Sequence, residues 1–257
     1  MKLFVIGSGN VANSLGTAFK KAGHEITGVF GRNPLTSARL AKKLNTIAFS
    51  ELNNIPLDSD IYLLAIKDDA INEIAHIIKK FKGVLVHTSG TTSISTLSRF
   101  NNHGVFYPVE TIKTNFPLSY KKVPICLEAS NEVSLKKLLE LAGSISNEIF
   151  LLDSNQRAQL HLAAVFTNNF NNYLLGISFD ILKNSQLPKE LLKELAYSTV
   201  KNAFSLGSYQ SQTGPAVRND KITIQKHVHM LKKDKTRLGI YNFLTKEIIN
   251  VHKKHKK

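Results

Sequence analysis

A single cysteine, Cys126, stands in a chain of 257 residues, so no internal disulfide can form and a reducing cytoplasm is the expected setting. No apolar run approaches the ~20 residues that a membrane span needs. The opening Met1–Gly7 does not read as a signal peptide, because its apolar run is short and leads straight into a glycine loop. Acids are scarce: 19 Asp and Glu stand against 34 Lys and Arg, a formal charge of +15. The lysine clusters lack the interleaved aromatic residues that a base-stacking platform requires, so a nucleic-acid interface is not expected. Two readings of the charge remain, attraction of a polyanionic cofactor or substrate and plain solvated lysines. No metal site is expected. What is present, 42% apolar and 21% charged residues, is the profile of a globular protein with material for one large domain or two modest ones.

Short apolar runs alternate with amphipathic ones in the first part. Strands are expected at 2–6, 25–30, 46–49, 60–66 and 83–87, with helices at 10–22, 34–44 and 69–80 between them. This alternation predicts a doubly wound, mostly parallel α/β sheet covered by helices on both faces. Further strands are expected at 104–107, 124–128 and 148–152. Strand-like runs then stop. Helices are expected at 154–182, 188–206, 220–233 and 236–252, with a loop over 208–219. The division is therefore a Rossmann domain at 1–152 and an all-helical domain at 153–257.

The first strand runs into Gly7-Ser8-Gly9-Asn10-Val11-Ala12, which opens the first helix. A glycine pattern of this kind is weak alone and gains weight from its strand–loop–helix setting. Gly7 permits the tight turn, Gly9 lets backbone approach a pyrophosphate, and Ala12 lets the helix pack on the strand. The helix N-terminus then offers free N–H groups to phosphates. NAD-selective sites carry an acid ~20 residues further on, for the ribose 2′-hydroxyl. Phe30-Gly31-Arg32-Asn33-Pro34 has none there. Arg32 can pair with a 2′-phosphate and Asn33 can add a hydrogen bond, so NADP(H) is the expected cofactor. Arg32 as a solvated loop arginine is the alternative.

In open parallel sheets ligands lie at the carboxyl ends of strands. Ala65-Ile66-Lys67-Asp68-Asp69 leaves one such strand and His87-Thr88-Ser89-Gly90-Thr91 another, and both are expected to face the cofactor or what reacts with it. Ser89 is expected on the nicotinamide side. His87 reads either as a proton donor or as a strand-end histidine bonded to backbone. On the long helix, Arg157, His161, Asn168 and Asn172 fall with Ala164 on one stripe at ~100° per residue. A cofactor-and-substrate cleft, or a network between helices or subunits, would satisfy them. In the loop Gln212–Asp220, Arg218 offers a fork for a carboxylate or phosphate, or pairs with Asp220.

The motifs GSGNVA, DIYLLAIKDDAI, VHTSGTT, GVFYPVET, RAQLHLAAVFTNNFNN and QTGPAVRND together resemble the bacterial Rossmann-like proteins with a C-terminal domain of unknown function, the family numbered 2520. The resemblance covers nearly the whole chain. It groups the N-terminal part with the deazaflavin-dependent NADP oxidoreductase type, related to pyrroline-5-carboxylate reductase, prephenate dehydrogenase and the 6-phosphogluconate dehydrogenase-like β-hydroxyacid dehydrogenases. It implies a helical domain that makes a homodimer, and it names no substrate. The β-hydroxyacid dehydrogenases carry a lysine and an asparagine four residues apart on the corresponding helix. Asn168 matches the asparagine, whereas the lysine position is Ala164. Alanine cannot shuttle a proton, so lysine-based alcohol oxidation is not expected.

The resulting expectation is an NADP(H)-dependent oxidoreductase acting on a small carbonyl or imine compound. His161 or Ser89 would assist proton transfer, with Asn168 and Asn172 on the substrate side and Arg218 holding an anionic group. The alternative is a non-catalytic NADP(H)-binding sensor or scaffold, which the missing lysine favours.

Overall fold

The computed structural model describes residues 1–113, 116 and 118–254. Eight strands form one sheet: β1 Lys2–Ile6, β2 Glu25–Phe30, β3 Ala48–Phe49, β4 Ile61–Leu64, β5 Val84–His87, β6 His103–Pro108, β7 Ile125–Ala129 and β8 Ile149–Leu151. Their order is β3-β2-β1-β4-β5-β6-β7-β8. All neighbours pair in parallel except β6 and β7, which are antiparallel. The expected doubly wound sheet is therefore present, with one antiparallel step near its far edge.

Side chains alternate across β1. Leu3 and Val5 join one core cluster, which takes Leu15 and Phe19 from α1 Asn10–Lys21 and Leu40 and Leu44 from α2 Pro34–Leu44. Phe4 and Ile6 join the other, with Tyr62 from β4 and Ile71 and Ile74 from α3 Asp68–Ile77. The period of two thus supplies both faces of a sheet that is buried on each side. Helix α4, Glu132–Gly143, returns to the first face through Leu138 and Leu141.

After β8 the chain is helical. Helix α5 Ser154–Ala164 opens on a reciprocal cap in which Asp153 accepts from the Gln156 backbone and Gln156 from that of Asp153. A π-helical segment, Val165–Phe170, follows, then α6 Asn171–Asn184 and α7 Lys193–Leu206. The stretch read from sequence as a loop over 208–219 holds two short helices, α8 Ser208–Ser211 and α9 Pro215–Arg218. Gly214 at φ +106° and Pro215 at the first helical position start α9, and the left-handed Asn219 ends it. Helices α10 Lys221–Leu231 and α11 Lys235–Lys254 complete the chain.

The chain forms two compact units, Met1–Asn168 and Asn169–Lys257. Sequence patterning places a boundary at 152, where strands end. Compactness instead groups α5 with the sheet, for a specific reason. Arg157, one turn into α5, is 1% exposed and forms an ion pair through Nη1 with Glu128 of β7. Its Nη2 donates to the carbonyl of Thr92, in the loop after β5. Ser154 Oγ also donates to the Glu128 carboxylate and accepts from the Ile94 N–H at 3.0 Å.

Removing one partner of a buried ion pair leaves the other charge uncompensated, at a cost of about 3–5 kcal/mol. Arg157→Met should therefore lower unfolding free energy by roughly that amount in chemical denaturation followed by circular dichroism. The double change Arg157→Met/Glu128→Leu should restore a large part of it; a double variant weaker than the single one would contradict this account.

Candidate functional site

A cleft of about 510 Å³ opens at the carboxyl ends of β1, β2 and β4, where the strand order reverses. Of the expected cofactor residues, Gly7, Ser8, Gly9, Asn10, Val11, Arg32, Asn33, Ala65, Ile66 and Lys67 line it. Ala12 does not; it is fully buried in the core beneath the helix start. Gly7 has φ +127° and donates to the Phe30 carbonyl at 2.6 Å. A Cβ there would stand 2.1 Å from the Ala65 carbonyl oxygen, so only glycine lets this turn press against the end of β4. At Gly9 nothing lies within 4 Å of a Cβ position, leaving its backbone open. Gly9 caps α1 without any side-chain hydrogen bond, and the first turn holds no acid. The N–H groups of α1 thus face the cleft without a competing carboxylate.

At the end of β2, Asn33 Oδ1 accepts from the N–H groups of Leu35 and Thr36 and so caps α2. Only its NH2 group remains to meet a ligand. Thr36 and Ser8 join hydroxyls at 2.7 Å, tying α2 to the phosphate loop. Arg32 is exposed on the cleft and has no hydrogen bond or ion pair among the described residues. Glu73 of α3 is the one carboxylate lining the cleft among those residues. An uncapped helix end, an open glycine and an unengaged guanidinium suit a dinucleotide bearing a 2′-phosphate.

The loop after β5 is organised from within. Asp68 Oδ2, at the start of α3, accepts from Ser89 Oγ at 2.7 Å and from Thr91 Oγ1 at 3.0 Å. Ser89 Oγ in turn accepts from the N–H groups of Thr91 and Thr92. Ser89 is buried and does not line the cleft. Its hydroxyl shapes the loop, with its proton already engaged. His87 is fully buried, accepts from the Ser89 N–H at Nδ1, and has a pKa pushed down to about 4 by burial and by the nearby Arg157 charge. It is neutral at physiological pH, bonded to backbone as the second sequence reading has it.

His161 lies one helical turn beyond Arg157 on α5. Its Nδ1 is 3.2 Å from the Tyr107 hydroxyl of β6, and its ring lies against Gly90. Asn168 Nδ2 donates to Thr111 Oγ1, in the segment after β6. The next residue, Ile112, lines the cleft. The polar stripe expected at α-helical steps holds through Ala164; from Val165 the winding is π, so its spacing there no longer follows 3.6 residues per turn. In the second unit, Asn172 on α6 and Arg218 at the end of α9 are both exposed. Asp220 accepts from the backbone and hydroxyl of Thr223, which caps α10.

Sequence reasoning did not single out Tyr107, Thr111 or Ile112, and it placed Asp68 only among the residues leaving β4. The signal for Tyr107 was a phenol in an otherwise apolar strand, within GVFYPVET. Nothing local marks Ile112, which reaches the cleft by tertiary placement alone. Among the described residues no helix is long and apolar enough to cross a membrane.

Residues 2–87 match the family described as NADP oxidoreductase coenzyme F420-dependent, and residues 123–248 match the domain of unknown function DUF2520. No curated protein matches the chain. A candidate NADP oxidoreductase of Bacteroides fragilis shares 30% identity and a TM-score of 0.88, over 97% of this chain and 98% of that one. A reductive aminase of Aspergillus terreus, solved with NADPH and ethyl-5-oxohexanoate, shares 14% identity and a TM-score of 0.72, over 97% and 93%. A 1-pyrroline-5-carboxylate reductase of Streptococcus pyogenes shares 14% identity and a TM-score of 0.66, over 97% and 98%. The last two likenesses are of fold. With the Bacteroides likeness spanning nearly the whole of both chains, the protein belongs to the NADP oxidoreductase family that joins an N-terminal domain of the coenzyme F420-dependent type to a C-terminal DUF2520 domain.

Proposed function

We propose that the protein uses NADP(H) to reduce a small carbonyl or imine compound. The observation that carries this reading is the segment after β6: Ile112 forms part of the cofactor cleft while its neighbour Thr111 holds Asn168. A dinucleotide cleft and a set of polar side chains are thereby built from the same few residues. Bound NADPH supplies a hydride. His161 then supplies the proton to the oxygen or nitrogen that gains electrons, and the Asn168 amide orients that atom. Ala164 offers no proton, so His161 takes the part that a lysine plays in the β-hydroxyacid dehydrogenases. Likeness of fold to a reductive aminase and a pyrroline-5-carboxylate reductase supports a C=N or C=O substrate.

The cofactor preference rests on Arg32. Arg32→Asp should lower NADPH affinity at least tenfold and leave NADH affinity level or higher, as measured by fluorescence titration. Unchanged affinities would remove Arg32 from the site.

Catalysis rests on His161. In an NADPH-oxidation assay across small ketones and cyclic imines, His161→Ala should lose about a hundredfold or more of turnover while binding NADPH normally. Undiminished turnover excludes His161. A wild-type protein inert toward the whole panel, yet binding NADPH, supports the sensor reading.

The second unit supports a homodimer. Among its described residues only Ala216 is buried, while Phe204, Met230, Ile222 and Phe243 are 84%, 75%, 69% and 65% exposed. A helical unit with so little core gains stability by covering its apolar faces, and a two-fold pair of identical chains is the commonest way. The resemblance implies the same partner. Light scattering after gel filtration should give twice the chain mass at micromolar concentration; a monomer there contradicts the proposal.

A further inference from the structure

We infer that Tyr107 is a positioning residue for His161: its hydroxyl engages Nδ1 and leaves Nε2 as the nitrogen that delivers the proton. The inference rests on the proposed role of His161 and adds which atom acts and what selects it.

Three constraints meet on this imidazole. The first is the hydrogen bond, 3.2 Å from Tyr107 Oη to Nδ1, with the two rings edge to face at 63°. The second is Gly90. A Cβ on that residue would stand 2.6 Å from His161 Nδ1 and 2.8 Å from Cγ, so the ring occupies the space that glycine leaves. The third is Arg157, whose buried ion pair fixes α5 one turn before His161. Held by β6 on one side and the β5 loop on another, the ring is pinned at its Nδ1 edge.

The protonation pattern follows. Burial pushes the Tyr107 phenol above its ordinary range, so it keeps its proton at neutral pH. Among the described residues the hydroxyl has no hydrogen-bond partner except His161. An imidazolium that gives up its Nε2 proton keeps the one on Nδ1, so in the neutral ring Nδ1–H donates to the Tyr107 oxygen and Nε2 is bare. When His161 is protonated, Nδ1–H donates to the Tyr107 oxygen in the same way. Nδ1 is engaged in both states, and Nε2 exchanges with substrate. In the proposed reduction the Nε2–H bond of the imidazolium breaks and an O–H or N–H bond forms on the substrate. With the hydride that bound NADPH would supply to the adjacent carbon, the balance leaves an imidazole protonated on Nδ1 and NADP+. A second-layer partner that orients a catalytic imidazole in this way is a familiar device.

The test is long-range proton–nitrogen NMR of uniformly 15N-labelled protein saturated with NADP+ at alkaline pH, with His161→Ala identifying the resonance. Wild-type His161 is expected to show a protonated, hydrogen-bonded Nδ1 and a bare Nε2. Tyr107→Phe, which keeps the ring and removes the hydroxyl, should shift the Nδ1 resonance and leave NADPH affinity unchanged. A proton on Nε2 in the neutral wild-type ring overturns the inference whether or not the variant folds, as does a Phe variant with an unmoved Nδ1 signal. Turnover in His161→Ala reports separately on the catalytic reading, so the two can fail independently.

Discussion

A guanidinium cannot be taken out of water unless something inside the protein receives its charge, and Arg157 is 1% exposed. Glu128, the Thr92 carbonyl and Ser154 receive it, and each comes from a different place: the end of β7, the loop after β5 and the start of α5. That requirement for partners sets the position of α5 on the sheet. Replacing such a pair by well-packed apolar groups is often no less stable, so its value lies in geometry. A greasy contact tolerates sliding; a forked donor with named acceptors does not. His161, on the next turn, inherits its place from this anchor, and the charge also contributes to keeping His87 neutral beneath it.

The cleft and the polar cluster around His161 draw on separate parts of the sheet. The cleft uses the ends of β1, β2 and β4, with backbone and glycine doing most of the shaping. The polar cluster around His161 and Ser89 uses the loop after β5, the end of β6 and α5. Asp68 stands at the junction, beginning the helix that follows β4 while fixing the hydroxyls of Ser89 and Thr91.

Much of the fold was legible because its signals are local. The apolar runs of β1, β4 and β5, the proline opening α2 and the glycines after β1 each declare an element or a turn within a few residues. The cofactor loop and Arg32 were legible for the same reason, since the physics of a helix end needs only the residues beside it. What was not legible depended on distant contacts. Ser89 reads as a candidate proton donor until Asp68, 21 residues away, is seen to hold its hydroxyl. Arg157 reads as one member of a functional stripe, although Glu128 and Thr92 make it an anchor. Tyr107 was legible only as the end of an expected strand, because strand alternation says which side a residue faces and nothing about a helix 54 residues on.

The π segment at Val165–Phe170 bears on how such helices are compared between proteins. Its hydrogen bonds skip one residue more than those of an α-helix, so it winds more widely. Residues four apart across it are no longer stacked as they are in α-helical winding. A lysine–asparagine spacing of four in one protein and an alanine–asparagine spacing of four in another can therefore describe different placements in space. Grafting a lysine onto position 164 would restore the letters of the motif without restoring its angle. Counting residues along a helix is a measurement only where the winding is known.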